Sequence, residues 1–141
     1  MLRTMTVEDN LPFRETFKGN LLSEFPSMEM IEAANGEEAL KRLSSNAVDL
    51  VFMDIRLPGE SGLELTRKIK AKYKDMTVVM LTSYDSVEYR EAAARCGADG
   101  FITKHSMKWN QISAMVKCFQ TAKDSNGLKP SCVRLASEGS Q

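Results

Sequence analysis

Five short apolar runs recur along the chain, and stretches of helical period separate them. The runs are LRTMTV near residues 2–7, MEMIEA near 28–33, VDLVFM near 48–53, TVVMLT near 77–82 and DGFIT near 99–103. Between them, apolar residues fall three or four apart, the spacing that lines one face of an α-helix. Phe13, Phe17 and Leu21 mark the first helix. Ala39, Leu40 and Leu43, opened by Asn35 and Gly36, mark the second, and Leu65 and Ile69, from about Ser61, the third. Tyr89, Ala93 and Cys96, after Ser86 and before Gly97, mark the fourth, and Ile112, Met115, Val116 and Phe119 the fifth. Strand and helix alternating five times imply right-handed βαβ units and a parallel sheet with helices on both faces. VDLVFM and TVVMLT are nearly continuous rather than alternating, as in strands buried on both sides.

Composition narrows the function. Nineteen Lys plus Arg balance nineteen Asp plus Glu, and 43% of the 141 residues are hydrophobic. That mixture excludes a disordered chain. It also argues against a general nucleic-acid or membrane-surface binder, which needs a basic excess. No apolar run nears the roughly 18 residues of a membrane span, and the acidic start MLRTMTVEDN reads as part of the fold rather than as an export signal. Cys96, Cys118 and Cys132 are odd in number and widely spaced. The expectation is therefore no disulfide, a reducing compartment, and Cys96 and Cys118 as small buried hydrophobes on helices. After Lys123 the pattern is lost, so residues 1–123 are expected to form the domain and 124–141 a tail or the start of a linker.

Open parallel sheets bind ligands at the carboxyl ends of their strands. There the first run ends in Glu8 and Asp9, the third in Asp54, the fourth in Thr82 and Ser83, and the fifth in Lys104. A carboxylate closing an apolar strand is often a mere turn residue. Three together repel and call for a cation or a proton. All-oxygen donors suit a hard divalent ion, most naturally Mg²⁺. A lysine and a hydroxyl beside it suit phosphoryl oxygens.

The segments EDN, VFMDIRLPGESG, VVMLTSYD and GADGFITK, in this order, resemble the signatures of the response-regulator receiver domain of two-component signalling, over residues 2–123. The resemblance implies a single doubly wound (βα)5 domain, flavodoxin-like or CheY-like, with a five-stranded parallel sheet in the order 2-1-3-4-5. It implies Asp54 as phosphoacceptor, and Mg²⁺ bound by Asp9, Asp54 and the Arg56 backbone carbonyl, with Glu8 acting through a water. Thr82 and Lys104 would meet phosphoryl oxygens, Ser83 would leave them access, and Phe101 would be the switch aromatic. The donor would be a phosphohistidine on a sensor histidine kinase or phosphotransfer protein. The output would be a change in the face made by the fourth helix, fifth strand and fifth helix, through which the domain could form a homodimer. The implied setting is the cytoplasm, with neither membrane nor direct nucleic-acid contact. LTSYDSVEYREAAARCGADGFITKHS and LPFRE are closest in style to receivers that precede helix-turn-helix output domains.

Two other readings stand beside this one. A pseudo-receiver would bind partners without phosphorylation. An aspartyl phosphatase typically needs a second aspartate two residues after the nucleophile, where this chain has Arg56. The chain also departs from the family pattern. Glu8 stands where Asp is also common, His105 follows Lys104 where proline is frequent, and Phe101 lacks the common tyrosine hydroxyl. Arg56 and Tyr84 flank the phosphoryl site and could tune hydrolysis. His105, the single histidine, is expected to be an exposed loop residue. Trp109 fits either an interface or a partly buried helix position. Arg67, Lys68, Lys70, Lys72 and Lys74 are expected on a solvated helix face.

Overall fold

In a computed structural model, described here over residues 1–124 and 132–133, the ten expected elements follow one another. They are β1 (Arg3–Val7), α1 (Leu11–Glu24), β2 (Glu29–Ala33), α2 (Gly36–Ser45), β3 (Leu50–Met53), α3 (Gly62–Lys72), β4 (Thr77–Thr82), α4 (Val87–Arg95), β5 (Gly100–Thr103) and α5 (Trp109–Asp124). The strands form one parallel sheet in the order β2-β1-β3-β4-β5. The jump from β2 across β1 to β3 creates the switch point at which such sheets hold ligands.

Helix starts follow side-chain chemistry. Asn10, Asn35, Ser61 and Ser86 each turn a side-chain oxygen onto backbone N–H groups of the first turn, each contact stabilising its helix by about 1 kcal/mol. Glu38 answers Asn35 by accepting from the Ala34 N–H, which orders the entry to α2. Gly97, at φ 96°, ends α4 in the left-handed region that favours glycine.

Side chains alternate across the sheet into two cores. Leu50, Phe52, Val79, Leu81 and Ile102 meet Phe17 and Leu21 of α1, Phe25 just past its end, and Ile112, Met115, Val116 and Phe119 of α5. Val51, Met53, Val78 and Met80 meet Ala39, Leu43, Leu65, Ile69 and Ala93 on the other face. β3 and β4 are buried along their whole length, which explains their unbroken apolar runs. Trp109 proves partly buried. Its indole N–H donates to Glu24 at 2.9 Å and its ring meets Phe17 edge-on, tying α5 to α1. Of the basic residues on and after α3, Lys70 departs from the solvated face, bonding the Met76 carbonyl at 2.8 Å and Asp99 at 2.9 Å.

The expectation of no disulfide is overturned. Cys118 of α5 is bonded to Cys132, with Cα atoms 5.5 Å apart, and Cys96 is unpaired. Cys132 is 1% exposed, within the α1–α5 core. The pairing was hidden because it joins a helix to a stretch without periodicity, and spacing alone carries no signal there. The rest of the expected tail, apart from Asp124, which ends α5, and Val133, lies outside the described residues.

Candidate functional site at the carboxyl ends of the strands

Register brings the polar strand ends together. Val7 pairs with Met53, and the Asp54 N–H donates to the Val7 carbonyl at 3.0 Å, so Glu8 and Asp54 leave adjacent strands side by side. Thr82 pairs with Thr103, and the Lys104 N–H donates to the Thr82 carbonyl at 2.8 Å. Glu8, Asp9 and Asp54 each offer a carboxylate oxygen, all within 4.8 Å of one another. Lys104 closes the group, its Nζ 2.5 Å from Glu8 Oε1 and 3.2 Å from Asp54 Oδ2. Residues separated by as many as 96 positions thus share one pocket.

The electrostatics are asymmetric. Glu8 is 2% exposed and Asp54 7%, whereas Asp9 is exposed. Burial raises the Glu8 carboxyl above its ordinary pKa, the nearby Asp54 charge adds to that, and the Lys104 bond opposes it. Three carboxylates against one ammonium leave a formal charge of −2 when all are ionised. Arg14 donates to the Glu8 backbone carbonyl at 2.6 Å, but its guanidinium also pairs with Glu32 and leaves that excess in place. An all-oxygen, doubly negative cluster with one exposed member fits a hard divalent cation such as Mg²⁺.

The other expected residues take distinct positions around this centre. Thr82 is fully buried at the end of β4, its Oγ1 accepting from the Tyr84 N–H at 3.3 Å. Ser83 and Arg56 are exposed, and the Arg56 guanidinium lies 4.8 Å from the Tyr84 ring centre. Asp54 Oδ1 accepts from the Ile55 N–H at 2.8 Å, which fixes the carboxylate's orientation. Phe101 is partly buried on edge strand β5, and the Arg90 guanidinium sits 4.7 Å from its ring centre. His105 is exposed, as expected.

Two features escaped the sequence reading. Phe13, taken for a core-face residue of α1, has its ring centre 4.2 Å from Lys104 Nζ. Its i, i+4 spacing to Phe17 gave no hint, because helical period cannot distinguish a residue facing the core from one at the core's rim. Phe13→Leu should lower stability by about 1 kcal/mol through loss of a partly desolvated cation–π contact. Denaturant unfolding reads this, and Phe13→Tyr should restore it. The other is Gly62: a Cβ there would lie 1.9 Å from the Asp54 carbonyl oxygen. Ser61 marks the start of α3 in the sequence, but nothing there shows how closely α3 packs against the backbone of the phosphoacceptor candidate.

Similarity to known proteins agrees with this geometry. Residues 4–117 match the family model described as the response regulator receiver domain. The chain is 41% identical over 103 residues to a cyclic di-GMP phosphodiesterase of Thermotoga maritima, covering 73% of this chain and 27% of that one. It is 32% identical over 116 residues to the response regulator UvrY of Escherichia coli, covering 82% of this chain and 53% of that one. The chain thus spans between about a quarter and a half of these curated relatives. Among solved structures, it resembles the response regulator TrrA of Thermotoga maritima in complex with Mg²⁺ and beryllium fluoride. That match has a TM-score of 0.72 and 38% identity, over 83% of this chain and 97% of that one. The strand order, the acidic pocket and the matched span lead to one conclusion: the chain belongs to the response regulator receiver family, a signalling domain of two-component systems.

Proposed function

We propose that this receiver accepts a phosphoryl group on the Asp54 carboxylate from the phosphohistidine of a sensor histidine kinase or phosphotransfer protein. The observation that carries the reading is the pocket itself: three carboxylates within 4.8 Å of one another, with Lys104 bonded to two of them. In the transfer, an Asp54 oxygen forms a bond to phosphorus as the imidazole N–P bond breaks, and the nitrogen keeps the electron pair. Phosphoryl transfer asks mainly for positioning and charge neutralisation. Asp9, Asp54 and the Arg56 carbonyl would hold Mg²⁺, with Glu8 acting through a water. The ion, when bound, supplies positive charge against the phosphoryl oxygens.

Lys104 neutralises one phosphoryl oxygen and Thr82 donates its hydroxyl to another, with the exposed Ser83 leaving the approach open. Arg56 and Tyr84, stacked at the rim, bear on how water reaches the acyl phosphate. Movement of Thr82 frees space that Phe101 fills by packing alone, which alters the α4–β5–α5 face for a partner or a second copy. The domain would act in the cytoplasm, without itself binding nucleic acid. Residues 1–123 would be the receiver and 124–141 a tail or the start of a linker. Among the described residues no helix is long and apolar enough to cross a membrane.

The test is acetyl phosphate with Mg²⁺, read by intact mass. One added phosphoryl group, absent when the ion is chelated, supports the reading; no gain with Mg²⁺ present favours a pseudo-receiver. Asp9→Ala should weaken Mg²⁺ binding by roughly 10- to 100-fold, the scale of losing a charged ligand of the site. A titration followed by tryptophan fluorescence checks this, and an unchanged curve removes Asp9 from the site. Lys104→Ala should leave Mg²⁺ affinity within a few-fold yet uncouple phosphorylation from self-association. Sedimentation of the phosphorylated variant as a dimer would show that Lys104 has no such role.

A further inference from the structure

We propose that Cys118 and Cys132 form a thiol–disulfide switch that clasps the chain at the seam between α5 and β5. Its reactants would be low-molecular-weight thiols and disulfides. Two independent contacts define the clasp. The bond anchors Cys132 to α5, with Cys132 buried in the α1–α5 core. The next residue, Val133, packs on β5 so closely that a Cβ on Gly100 would lie 2.2 Å from its Cγ1. Gly100 therefore leaves the space Val133 occupies, and the pair of contacts spans the seam from helix to strand.

Persistent disulfides are rare in reducing compartments, where those present are usually transient or redox-sensing. The chemistry balances by exchange with an external disulfide. The Cys118 thiolate, on the more exposed residue of the pair, attacks one external sulfur. The external S–S bond breaks and one thiolate leaves. The Cys132 thiolate then attacks the mixed disulfide and expels the second. Two electrons pass from the protein sulfurs to the external disulfide, and the two cysteine protons end on the two released thiols. An excess of thiol drives the reverse reaction. Closure covers part of the α5–β5 face, so its consequence for self-association, like the reducing compartment, rests on the function proposed above, although the bond and its exchange chemistry do not.

The experiment equilibrates the full chain across ratios of reduced to oxidised glutathione. Alkylation and intact mass count free thiols, and amide exchange is followed in β5 and α5. The count should fall from three to one, leaving Cys96, and peptides spanning Gly100–Thr103 should exchange more slowly once oxidised. Gly100→Ala and Val133→Ala should each shift oxidation toward more oxidising ratios, and Cys132→Ser should keep its thiols free of intramolecular pairing. Three free thiols at every ratio, pairing through Cys96, or unshifted oxidation in both packing variants would overturn the clasp. Acetyl phosphate-dependent self-association should be weaker in the oxidised chain, and equal association in both states overturns the coupling. Failure to take up phosphoryl in either state counts against the proposed function alone, because thiol count and exchange are read without it.

Discussion

Asp54→Asn is expected to take up no phosphoryl group from acetyl phosphate under conditions that load the native chain. Removing a nucleophile lowers such reactions by on the order of 10³-fold or more. The carboxamide is nearly isosteric, so the hydrogen bond from the Ile55 N–H to Oδ1 and the packing of β3 survive. What disappears is a charged oxygen able to attack phosphorus. The same change relieves repulsion with Glu8, whose carboxyl is pushed up by burial and by the Asp54 charge. Against that gain stands the lost ion pair of Asp54 with Lys104 at 3.2 Å, so the variant should melt close to the native chain when Mg²⁺ is absent. Mass spectrometry and thermal unfolding on one preparation separate the two effects. Uptake at native rate would move the nucleophile elsewhere. Lost uptake with a collapsed melting temperature would reduce the result to misfolding.

Gly62→Ala is expected to be the most destabilising single methyl addition near the site. The new Cβ would lie 1.9 Å from the Asp54 carbonyl oxygen, 2.8 Å from its carbonyl carbon and 3.0 Å from Ile55 Cα. All three are backbone atoms, so no side-chain rotation relieves the overlap. The first turn of α3 or the β3–α3 loop must move, and the Gly62 N–H bond to the Ile55 carbonyl at 2.8 Å resists that. Overpacking of this kind costs about 3 kcal/mol, which lowers the melting temperature by roughly 10 °C in a domain of this size. Any displacement passes directly to Asp54, so phosphoryl uptake should fall along with stability. Gly59, at φ 80° with open space where a Cβ would stand, offers the contrast: substitution there strains only the turn. Equal melting of Gly62→Ala and the native chain would mean that α3 does not pack as described.

The fold was legible because each level of the sequence agrees with the next. Unbroken apolar runs such as LVFM belong to strands with helices on both faces, and Asn35, Ser61 and Ser86 sit where helices begin. The acidic residues and Lys104 were legible because parallel strands end together: polar groups that close separate apolar runs must meet at one edge. Contacts that depend on packing distance were not. Phe13 over Lys104, Arg90 over Phe101 and Gly62 against Asp54 are set by how closely helices approach the sheet. Periodicity gives the face of a helix but not that distance. The Cys118–Cys132 bond was concealed for a different reason, since one partner lies beyond the last periodic element.

A crystal structure of the chain with Mg²⁺ and beryllium fluoride, the additive pair present in the related TrrA structure, tests the proposed chemistry most directly. Beryllium is expected to bond to an Asp54 carboxylate oxygen, with Mg²⁺ on Asp9, Asp54 and the Arg56 carbonyl. Lys104 would have turned from Glu8 to a fluoride, and Thr82 Oγ1 from the Tyr84 N–H to another. A bare Asp54 carboxylate under saturating additive, with Lys104 still bonded to Glu8 and no metal among the three acids, would contradict it.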